Sequence, residues 1–441
     1  MLIEFTVGNF RSFKEPETFS MVAANLTSPD PRLDTESVIP VDKELKLLTS
    51  AAIYGRNSSG KSNLLAALRF MREFVLNSSR DTQATDAIHT EPFRLSTETR
   101  DKASFFEIAF IIAGKRYRYG FEVDTERVVS EWLFTVPTIR EALLFQREGS
   151  EIEVSSRFKE GRGLQERTRP NALFLSVAAQ FNGEIATSIL KWLGGFLVFG
   201  LDDSNFFATA FILASGLGYG SKIIQLIHNL DVGINDIQLR TTGLSDPEPR
   251  MDIDPQWTRE EAIRRVQENI NRRMDFVSSE LNDAIRSIHS VYNADGEPVS
   301  SEAFDFGETE SEGTKKLFAM TGPLIIALDQ GYSLVIDEID TKLHPLITRA
   351  IISLFNSKET NPKSAQLIFA THDANLLDNR LLRRDQIWFV EKDRYGASHL
   401  VSLAEYRVRK EASFEKDYLQ GRYGGVPSLG DLSHLFEDTH A

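Results

Sequence analysis

Short hydrophobic runs separated by turn-forming residues dominate the first third of the chain. Ile3, Phe5 and Val7 alternate with polar residues, which predicts a strand within residues 2–13. Four further runs with the composition of strands follow at residues 105–110, 117–123, 131–136 and 142–146. Because turn signals such as Ala113-Gly114-Lys115 separate these runs, we expect an antiparallel sheet.

The hydrophobic pattern changes along the rest of the chain. An apolar run at residues 171–177 predicts a strand, and the spacing within 184–193, 221–229 and 258–292 predicts helices. From residue 314 the pattern alternates between a helix to Leu328, a strand at 333–336, a helix to about Phe355, a strand at 366–370, a helix, and a strand at 386–391. This alternation is typical of a parallel sheet. No heptad pattern or internal repeat is sustained, so we expect no long coiled-coil arm.

The composition is that of a globular protein with one large domain or two to three lobes, since 441 residues are 41% hydrophobic and 26% charged. The absence of cysteine excludes disulfides, thiol catalysis and cysteine-ligated zinc. No run reaches the roughly 18 apolar residues of a membrane helix, because Asp329, Gln330 and Gly331 interrupt the most apolar stretch. The first residues carry no basic segment of the kind that directs export. We therefore expect a cytoplasmic protein without a membrane partner.

The net charge of −14 argues against a uniformly basic surface for nucleic acid. One stretch within the predicted helix at 258–292 is rich in arginine, with Arg264, Arg265, Arg272 and Arg273. Acidic residues intersperse these arginines, which favours a solvated helix face over a binding patch. DNA remains open as a partner.

Residues 55–62 read Gly-Arg-Asn-Ser-Ser-Gly-Lys-Ser, a complete G-x-x-x-x-G-K-[ST] phosphate loop. An apolar run at 51–54, fit for a buried strand, precedes the loop, and an amphipathic helical pattern follows at 63–70. In that context the loop N–H groups and the positive end of the helix cradle a polyphosphate. The alternative is an ordinary loop of glycine, serine and asparagine that caps a helix.

The loop predicts ATP and Mg²⁺ as ligands. Lys61 is expected to reach the β- and γ-phosphates, and Ser62 is expected to ligate Mg²⁺. The nucleotide-binding candidates of this segment are Gly55, Asn57, Ser58, Ser59, Gly60, Lys61, Ser62 and Asn63.

A second predicted strand, Leu334-Val335-Ile336, ends in the two carboxylates Asp337 and Glu338. Open α/β sheets bind their ligands at this edge, so the segment looks like a Walker B motif. Asp337 is then a candidate to hold Mg²⁺, and Glu338 is the candidate to polarise the attacking water. The alternative is an acidic cap at the start of a helix, where both residue types are common.

The next predicted strand ends in Phe369-Ala370-Thr371-His372-Asp373. We expect this strand to neighbour the Walker B strand, which makes His372 the candidate donor to the γ-phosphate. The alternative is that His372 only caps the following helix. His344 follows the Walker B segment in Leu343-His344-Pro345, where it more plausibly shapes a turn or a subunit contact.

These motifs together resemble the heads of ABC-class ATPases of the SMC, RecF and OLD type. Ser311-Glu312-Gly313-Thr314, shortly before Walker B, resembles the signature motif of that class. More narrowly, the chain resembles single-headed AAA-type ATPases of bacterial antiphage defence, of the RloA or AriA kind. That narrower resemblance rests on Asn9-Phe10-Arg11-Ser12-Phe13, Ile336-Asp337-Glu338-Ile339-Asp340, Leu343-His344-Pro345 and the segment Tyr418-Leu419-Gln420-Gly421-Arg422-Tyr423-Gly424-Gly425-Val426-Pro427.

The resemblance implies further roles for single residues. Ser311 and Gly313, at a helix start, would close over the γ-phosphate bound by a second copy, unless they only begin a helix. Arg11 would contact nucleotide phosphates, although a surface salt bridge is the alternative. Gln180 is the candidate for the glutamine that senses Mg²⁺ and water, and Asp340 would act across the dimer.

The expected fold is an α/β P-loop NTPase, an ABC-ATPase-like head with an antiparallel β subdomain and a helical insertion lobe. The expected division is an N-terminal ATPase lobe at 1–147, a mostly helical insertion at 148–305 and a C-terminal ATPase lobe at 306–441. The expected function is an ATP-hydrolysing switch that forms a homodimer or a higher homo-oligomer and restrains or releases a separate effector protein in antiphage defence.

Two other functions stay open at this point. One is a DNA-repair or recombination ATPase that clamps DNA. The other is an OLD-type nuclease with Glu391 and Asp393 as a metal site, although about 50 residues remain after the last predicted strand, against on the order of 100 for the additional domain. Those two carboxylates more plausibly flank a hairpin.

Overall fold

The computed structural model describes residues 1–80, 83–136, 140–199, 204–214, 218–230, 233–239, 285–408 and 412–426. Within these ranges the strands are β1 (Leu2–Gly8), β2 (Glu17–Ser20), β3 (Val38–Pro40), β4 (Lys46–Leu48), β5 (Ser50–Tyr54), β6 (Ser104–Ile112), β7 (Lys115–Val123), β8 (Val128–Val136), β9 (Ala142–Glu148), β10 (Glu151–Val154), β11 (Phe196–Phe199), β12 (Asp236–Leu239), β13 (Ile285–Tyr292), β14 (Pro298–Asp305), β15 (Ser333–Ile336), β16 (Gln366–Ala370), β17 (Ile387–Lys392) and β18 (Ser398–Ser402).

The helices of the same ranges lie in both halves of the chain. They are α1 (Leu33–Glu36), α2 (Lys61–Asn77), α3 (Phe174–Gln180), α4 (Glu184–Gly194), α5 (Ser204–Ala214), α6 (Gly220–Asn229), α7 (Phe306–Thr309), α8 (Glu312–Gln330), α9 (Pro345–Phe355) and α10 (Phe414–Leu419). Across the described ranges, every helix is too short or too polar to cross a membrane.

A seven-stranded antiparallel sheet contains the N-terminal strand and the four runs predicted from the sequence. Its strand order is β10-β9-β8-β7-β6-β1-β2. The prediction of an antiparallel sheet is therefore confirmed, and the strand predicted within 2–13 becomes one of its inner strands. Phe5 pairs with Phe19 on one side and with Ile108 on the other.

A six-stranded sheet carries the phosphate loop, in the order β11-β15-β16-β5-β17-β18. All of its pairings are parallel except β17 with β18. Along β5, Ala51 and Ile53 join one hydrophobic cluster while Ala52 and Tyr54 join another. The sheet is thus buried on both faces, as parallel sheets are. The predicted neighbourhood of the Walker B strand β15 and the histidine strand β16 is confirmed.

Helix α2 lies between the two large sheets. One hydrophobic cluster includes Ile53 of β5, Leu65 of α2 and Phe106 of β6. The ring of Phe70 lies 4.9 Å from that of Phe106, which fastens the helix to the antiparallel sheet. This packing fixes the start of α2, where the phosphate loop ends.

The strand predicted at residues 171–177 is wrong, because the chain forms helix α3 there. The carboxylate of the buried Glu131 accepts hydrogen bonds from the N–H groups of Phe174 (2.7 Å) and Leu175 (3.0 Å). A residue 43 positions away thus satisfies the first N–H groups of the helix. The apolar run is buried on all sides, so its hydrophobic and polar residues do not alternate with a measurable period. Without that period, the sequence cannot distinguish a strand from a helix.

The helix predicted at residues 258–292 is wrong at its end. Residues 285–292 form β13, which pairs with β12 and β14 in a three-stranded antiparallel sheet. Residues 258–284, including the four arginines, lie outside the described residues. The helix predicted after β16 is also wrong, since that segment contains only two short 3₁₀ turns, Ala374–Leu376 and Arg384–Gln386.

Residues 148–305 contain both helices and strands. Their described part contains α3 to α6 and β10 to β14. Strand β11 belongs to the six-stranded sheet, where it pairs with β15. The segment therefore contributes to the central sheet as well as to the packing around it.

Candidate functional site

The phosphate loop connects the C-terminal end of β5 to the start of α2. The N–H of Ser59 donates to the carbonyl of Arg56 at 3.1 Å, which turns the chain within the loop. Gly60 has φ of 120° and directly precedes the helix. The loop therefore has the strand–turn–helix context that a polyphosphate cradle requires.

Lys61 folds back on its own loop. Its ammonium donates to the carbonyls of Gly55 (2.8 Å) and Arg56 (3.3 Å). Burial lowers the pKa of Lys61 to about 8, while Asp337 and Glu338 act in the opposite direction. The lysine and the carboxylates of the Walker B segment thus share one electrostatic environment.

Asp337 follows β15 and is buried, with its N–H donating to the carbonyl of Phe199 at 3.0 Å. Burial raises its pKa, and the hydroxyl of Ser62 and the charge of Lys61 counteract that rise. Its Oδ1 atom has no hydrogen-bond partner among the described residues. Strand β16 separates β15 from β5, but all three strands end at the same edge of the sheet. Parallel pairing therefore brings Asp337 towards Ser62.

Glu338 is exposed and has a left-handed backbone, with φ of 49°. Its Oε2 accepts a hydrogen bond from the hydroxyl of Thr341 at 3.0 Å. Its carbonyl accepts from the N–H of Thr341 at 3.1 Å and from the ammonium of Lys316 at 2.5 Å. A non-glycine residue in this region is strained by on the order of 1–3 kcal/mol, and such strain concentrates at functional sites.

His372 is exposed just after β16, and the N–H of the preceding Thr371 donates to the carbonyl of Ile53 at 3.1 Å. Partial burial and then the charge of Lys61 lower the pKa of His372. The imidazole thus lies within electrostatic reach of the loop lysine. The following 3₁₀ turn is capped by Asp373 rather than by His372.

His344 has the structural role expected for it, because its Nδ1 accepts from the N–H of Leu346 at 3.2 Å and caps α9.

Mg²⁺ fits the pair formed by Ser62 and Asp337. A buried carboxylate oxygen without a hydrogen-bond partner, beside a hydroxyl, is a hard oxygen donor set. Among the described residues, no group of three or more acidic or histidine side chains is arranged to hold a metal.

Gln180 is exposed at the end of α3. The hydroxyl of Ser176, in the same helix, donates to the carbonyl of Val75 near the C-terminal end of α2. Val75 lies about 20 Å along that helix from Ser62, at 1.5 Å per residue. The described contacts do not join Gln180 to the phosphate loop.

Ser311 and Gly313 lie at the start of α8. The Ser311 hydroxyl accepts from the N–H of Thr314 at 3.1 Å and so caps the helix. Gly313 packs so closely on the carbonyl of Lys342 that a Cβ would overlap it. In the described part of the chain, their hydrogen bonds do not reach residues 55–62. Ser311 is exposed, so its surface is open to another molecule.

Arg11 forms a surface ion pair. Its Nη2 lies 2.6 Å from Oε1 of Glu91, and its Nε donates to the same oxygen at 3.0 Å. The salt bridge that was the alternative role for Arg11 is thus formed in this structure.

Ser12 and Ser398 support the phosphate loop, although the sequence pattern did not single them out. Ser398 Oγ donates to the carbonyl of Ser59 at 2.5 Å and lies 2.8 Å from Ser12 Oγ. The side-chain amide of Asn63 donates to Ser12 Oγ at 2.7 Å. A Cβ on Gly60 would lie 2.8 Å from Ser12 Oγ, so the side chains of the two serines pack directly against the loop backbone. Their only sequence signal is the position of Ser12 next to Arg11.

Asp393 and Glu391 have structural partners. Asp393 Oδ1 accepts from the N–H groups of Tyr395 (2.8 Å) and Ala397 (2.9 Å), which builds the β17–β18 hairpin. Glu391 accepts from the N–H of Gly425. The hairpin interpretation of these carboxylates is therefore favoured over a metal site.

Comparison with known proteins identifies a family whose profile matches the chain. The profile of AAA_21, described as "AAA domain, putative AbiEii toxin, Type IV TA system", matches residues 50–378, which is more than half of the chain. The SMC head domain from Thermotoga maritima is similar in structure with a TM-score of 0.39 and 13% sequence identity, over 91% of this chain and 98% of that domain. No curated protein matches the chain.

Proposed function

This chain belongs to the AAA-domain family that matches it, and we propose that it is an ATP-binding and ATP-hydrolysing molecular switch. The observation that carries the proposal is the convergence of Lys61, Ser62, Asp337 and His372 at one edge of the six-stranded sheet. A phosphate loop alone binds many polyphosphates, whereas this set adds the groups that phosphoryl transfer to water needs.

Each residue has a distinct role in the proposed reaction. The ammonium of Lys61 leaves the carbonyls of Gly55 and Arg56 and pairs with the β- and γ-phosphates. Glu338, oriented by the hydroxyl of Thr341, accepts a hydrogen bond from the attacking water and aligns it with the γ-phosphorus. His372 is neutral near pH 7 because its pKa is lowered, and it donates an N–H to the γ-phosphate.

Ser62 and Asp337 would hold Mg²⁺, which neutralises phosphate charge when it is bound. The buried, unpaired Oδ1 of Asp337 supports this assignment. In the same proposal, Gln180 is the weakest candidate ligand, because α3 packs towards the other end of α2.

We further propose that each working site is shared between two copies of the chain. The start of α8 presents the exposed Ser311 and a helix N-terminus, both of which favour an anion. The described contacts do not place them at their own phosphate loop, so a second copy is the natural source of the ATP that they would bind. To contact nucleotide phosphates, Arg11 would have to break its ion pair with Glu91.

The biological proposal is a sensor or scaffold ATPase of antiphage defence that acts on a separate effector protein. It is supported by the motifs quoted above, and the family description names a putative AbiEii toxin of a type IV TA system. We propose the same division into lobes as before, at 1–147, 148–305 and 306–441. A DNA clamp has no support from the described residues, and the hairpin role of Asp393 weakens the nuclease alternative.

ATP turnover and subunit mass test the switch. We expect Glu338→Gln to lower turnover by about 10²–10³-fold and to accumulate as an ATP-bound dimer. Glu359→Gln, an exposed substitution after α9, is the matched control and should behave as wild type. If Glu338→Gln hydrolyses ATP at the normal rate, the proposed mechanism is wrong.

Mixing two inactive variants tests the shared site. A chain with Lys61→Ala and a chain with Ser311→Glu, which places a negative charge at the exposed start of α8, should each be inactive alone. Mixed dimers would contain one site with an intact loop and an intact signature, so the mixture should recover roughly a quarter of the wild-type activity. A mixture that stays inactive while exchanging subunits would contradict sharing.

A further inference from the structure

A C-terminal segment lies directly against the phosphate loop. We call residues 421–426 the C-terminal strap; it follows α10. A Cβ placed on Gly425 would lie 3.4 Å from the Cα of Gly55, the first residue of the loop. The backbones of the strap and the loop thus lie next to each other, with room for about one carbon atom between them, although about 370 residues separate them in the sequence.

Glu391 holds the strap in this place. It lies near the end of β17, and β17 is hydrogen-bonded to β5, so its backbone is fixed relative to the loop. Its carboxylate accepts the N–H of Gly425, and a side chain on Gly424 would overlap it. Gly424 and Gly425 have φ of 70° and 69°, a left-handed conformation that glycine adopts readily. The backbone of the strap therefore bends around the carboxylate of Glu391.

Aromatic side chains fasten the strap on its other sides. The hydroxyl of Tyr418 donates to the carbonyl of Gly425 at 3.1 Å, and that of Tyr406 donates to the carbonyl of Tyr423 at 3.0 Å. The Tyr423 ring stacks on Phe389 with 5.7 Å between ring centroids. These contacts leave the strap little freedom to move independently of β17.

We propose that Glu391 is a positioning residue for nucleotide binding, because it holds the strap against Gly55. Support at Gly55 keeps the loop in the conformation that directs its N–H groups towards a polyphosphate, so less ordering is required when the nucleotide binds. The coupling is reciprocal, and a bound nucleotide stabilises the strap to the same extent. This inference rests on the proposed ATP site.

Binding of a non-hydrolysable ATP analogue to the full-length chain with Mg²⁺ tests the inference. We expect Glu391→Ala to weaken binding by roughly 3- to 30-fold. Glu391→Gln keeps an oxygen that accepts from Gly425 and should recover most of the affinity. Glu359→Ala removes an exposed carboxylate after α9 and should bind within about twofold of wild type.

Amide hydrogen exchange separates positioning from a merely structural role. In the wild type, the analogue should slow exchange in both residues 55–62 and residues 412–426. In Glu391→Ala the loop should exchange faster without the analogue, and the analogue should no longer protect the strap. A substitution that only destabilises the fold would raise exchange throughout and leave the protection by the analogue in place.

The outcomes distinguish the proposed role of Glu391 from the proposed ATP site. Normal affinity in a folded Glu391→Ala variant overturns the role of Glu391, while a wild type that does not bind the analogue overturns the proposed ATP site instead. If Glu391→Ala does not fold, Tyr418→Phe takes its place, because it removes only the hydroxyl that donates to Gly425. Unchanged affinity and unchanged strap exchange in Tyr418→Phe would then count against the inference.

Discussion

The ammonium of Lys316 donates a hydrogen bond to the carbonyl of Glu338 at 2.5 Å. The two residues connect the first turns of α8, where Ser311 lies, to the Walker B segment of the same chain. Burial lowers the pKa of Lys316, while Asp340 and Glu338 counteract that shift. The bond therefore fixes the strained backbone of Glu338 and places a positive charge beside its carboxylate.

Removing this bond should impair hydrolysis more than binding. In Lys316→Met the side chain stays unbranched and is one atom shorter, but it donates nothing, so Glu338 loses part of its orientation. We expect kcat to fall roughly tenfold or more, with nucleotide affinity within about threefold of wild type. Steady-state kinetics and equilibrium binding measure the two effects.

Lys315→Met serves as the control for Lys316→Met, because Lys315 pairs with the exposed Glu312 at 3.2 Å. Equal losses in the two variants would show that the effect is not specific to the Glu338 contact.

ATP affinity should fall as the pH rises through the pKa of Lys61. Burial lowers this pKa to about 8 in the free chain, so the ammonium that pairs with phosphate is charged below pH 8 and neutral above it. Affinity should decrease by about tenfold between pH 7 and pH 9, since a proton must be taken up on binding at the higher pH. Titrations at constant ionic strength, with Mg²⁺ in excess, test this expectation, and a flat profile would contradict it.

The same shift has the opposite effect on folding stability. In the unfolded chain Lys61 has the ordinary pKa of 10.5. The unfolded state thus binds more protons between pH 8 and pH 10.5, and the contribution of Lys61 to stability rises with pH in that window.

Replacing His372 should slow turnover and leave assembly intact. His372→Ala removes the proposed N–H donor to the γ-phosphate, which typically costs about 10²–10³-fold in kcat. His228→Ala alters an exposed histidine of α6 and should have no effect. Single-turnover measurements would isolate the chemical step, and normal turnover in His372→Ala would remove His372 from the mechanism.

Glu131 should be important for stability rather than for ATP. Its buried carboxylate accepts from Phe174, Leu175 and the hydroxyl of Tyr119, and burial raises its pKa. Glu131→Ala leaves these donors unsatisfied, and we expect a loss of about 2–5 kcal/mol in the free energy of unfolding. Denaturant unfolding monitors the loss, with Glu153→Ala on the exposed strand β10 as the control. A loss below about 1 kcal/mol would contradict the assigned role.

Local sequence patterns were sufficient to predict several elements of the fold and of the candidate site. The sequence was enough to predict the loop at residues 55–62, the strands that end before Asp337 and His372, and the antiparallel strands. Each of these depends on a short motif or on a hydrophobic period, and both are properties of neighbouring residues.

Contacts between groups that are distant in the sequence could be identified only from the folded chain. The helical form of residues 174–180 depends on Glu131, and β13 depends on pairing with β12 and β14. Ser398 reaches Ser12 across 386 positions, and the strap reaches Gly55 from the other end of the chain. Such contacts follow from the strand order of the sheets and from the packing between them, and no local pattern encodes that order.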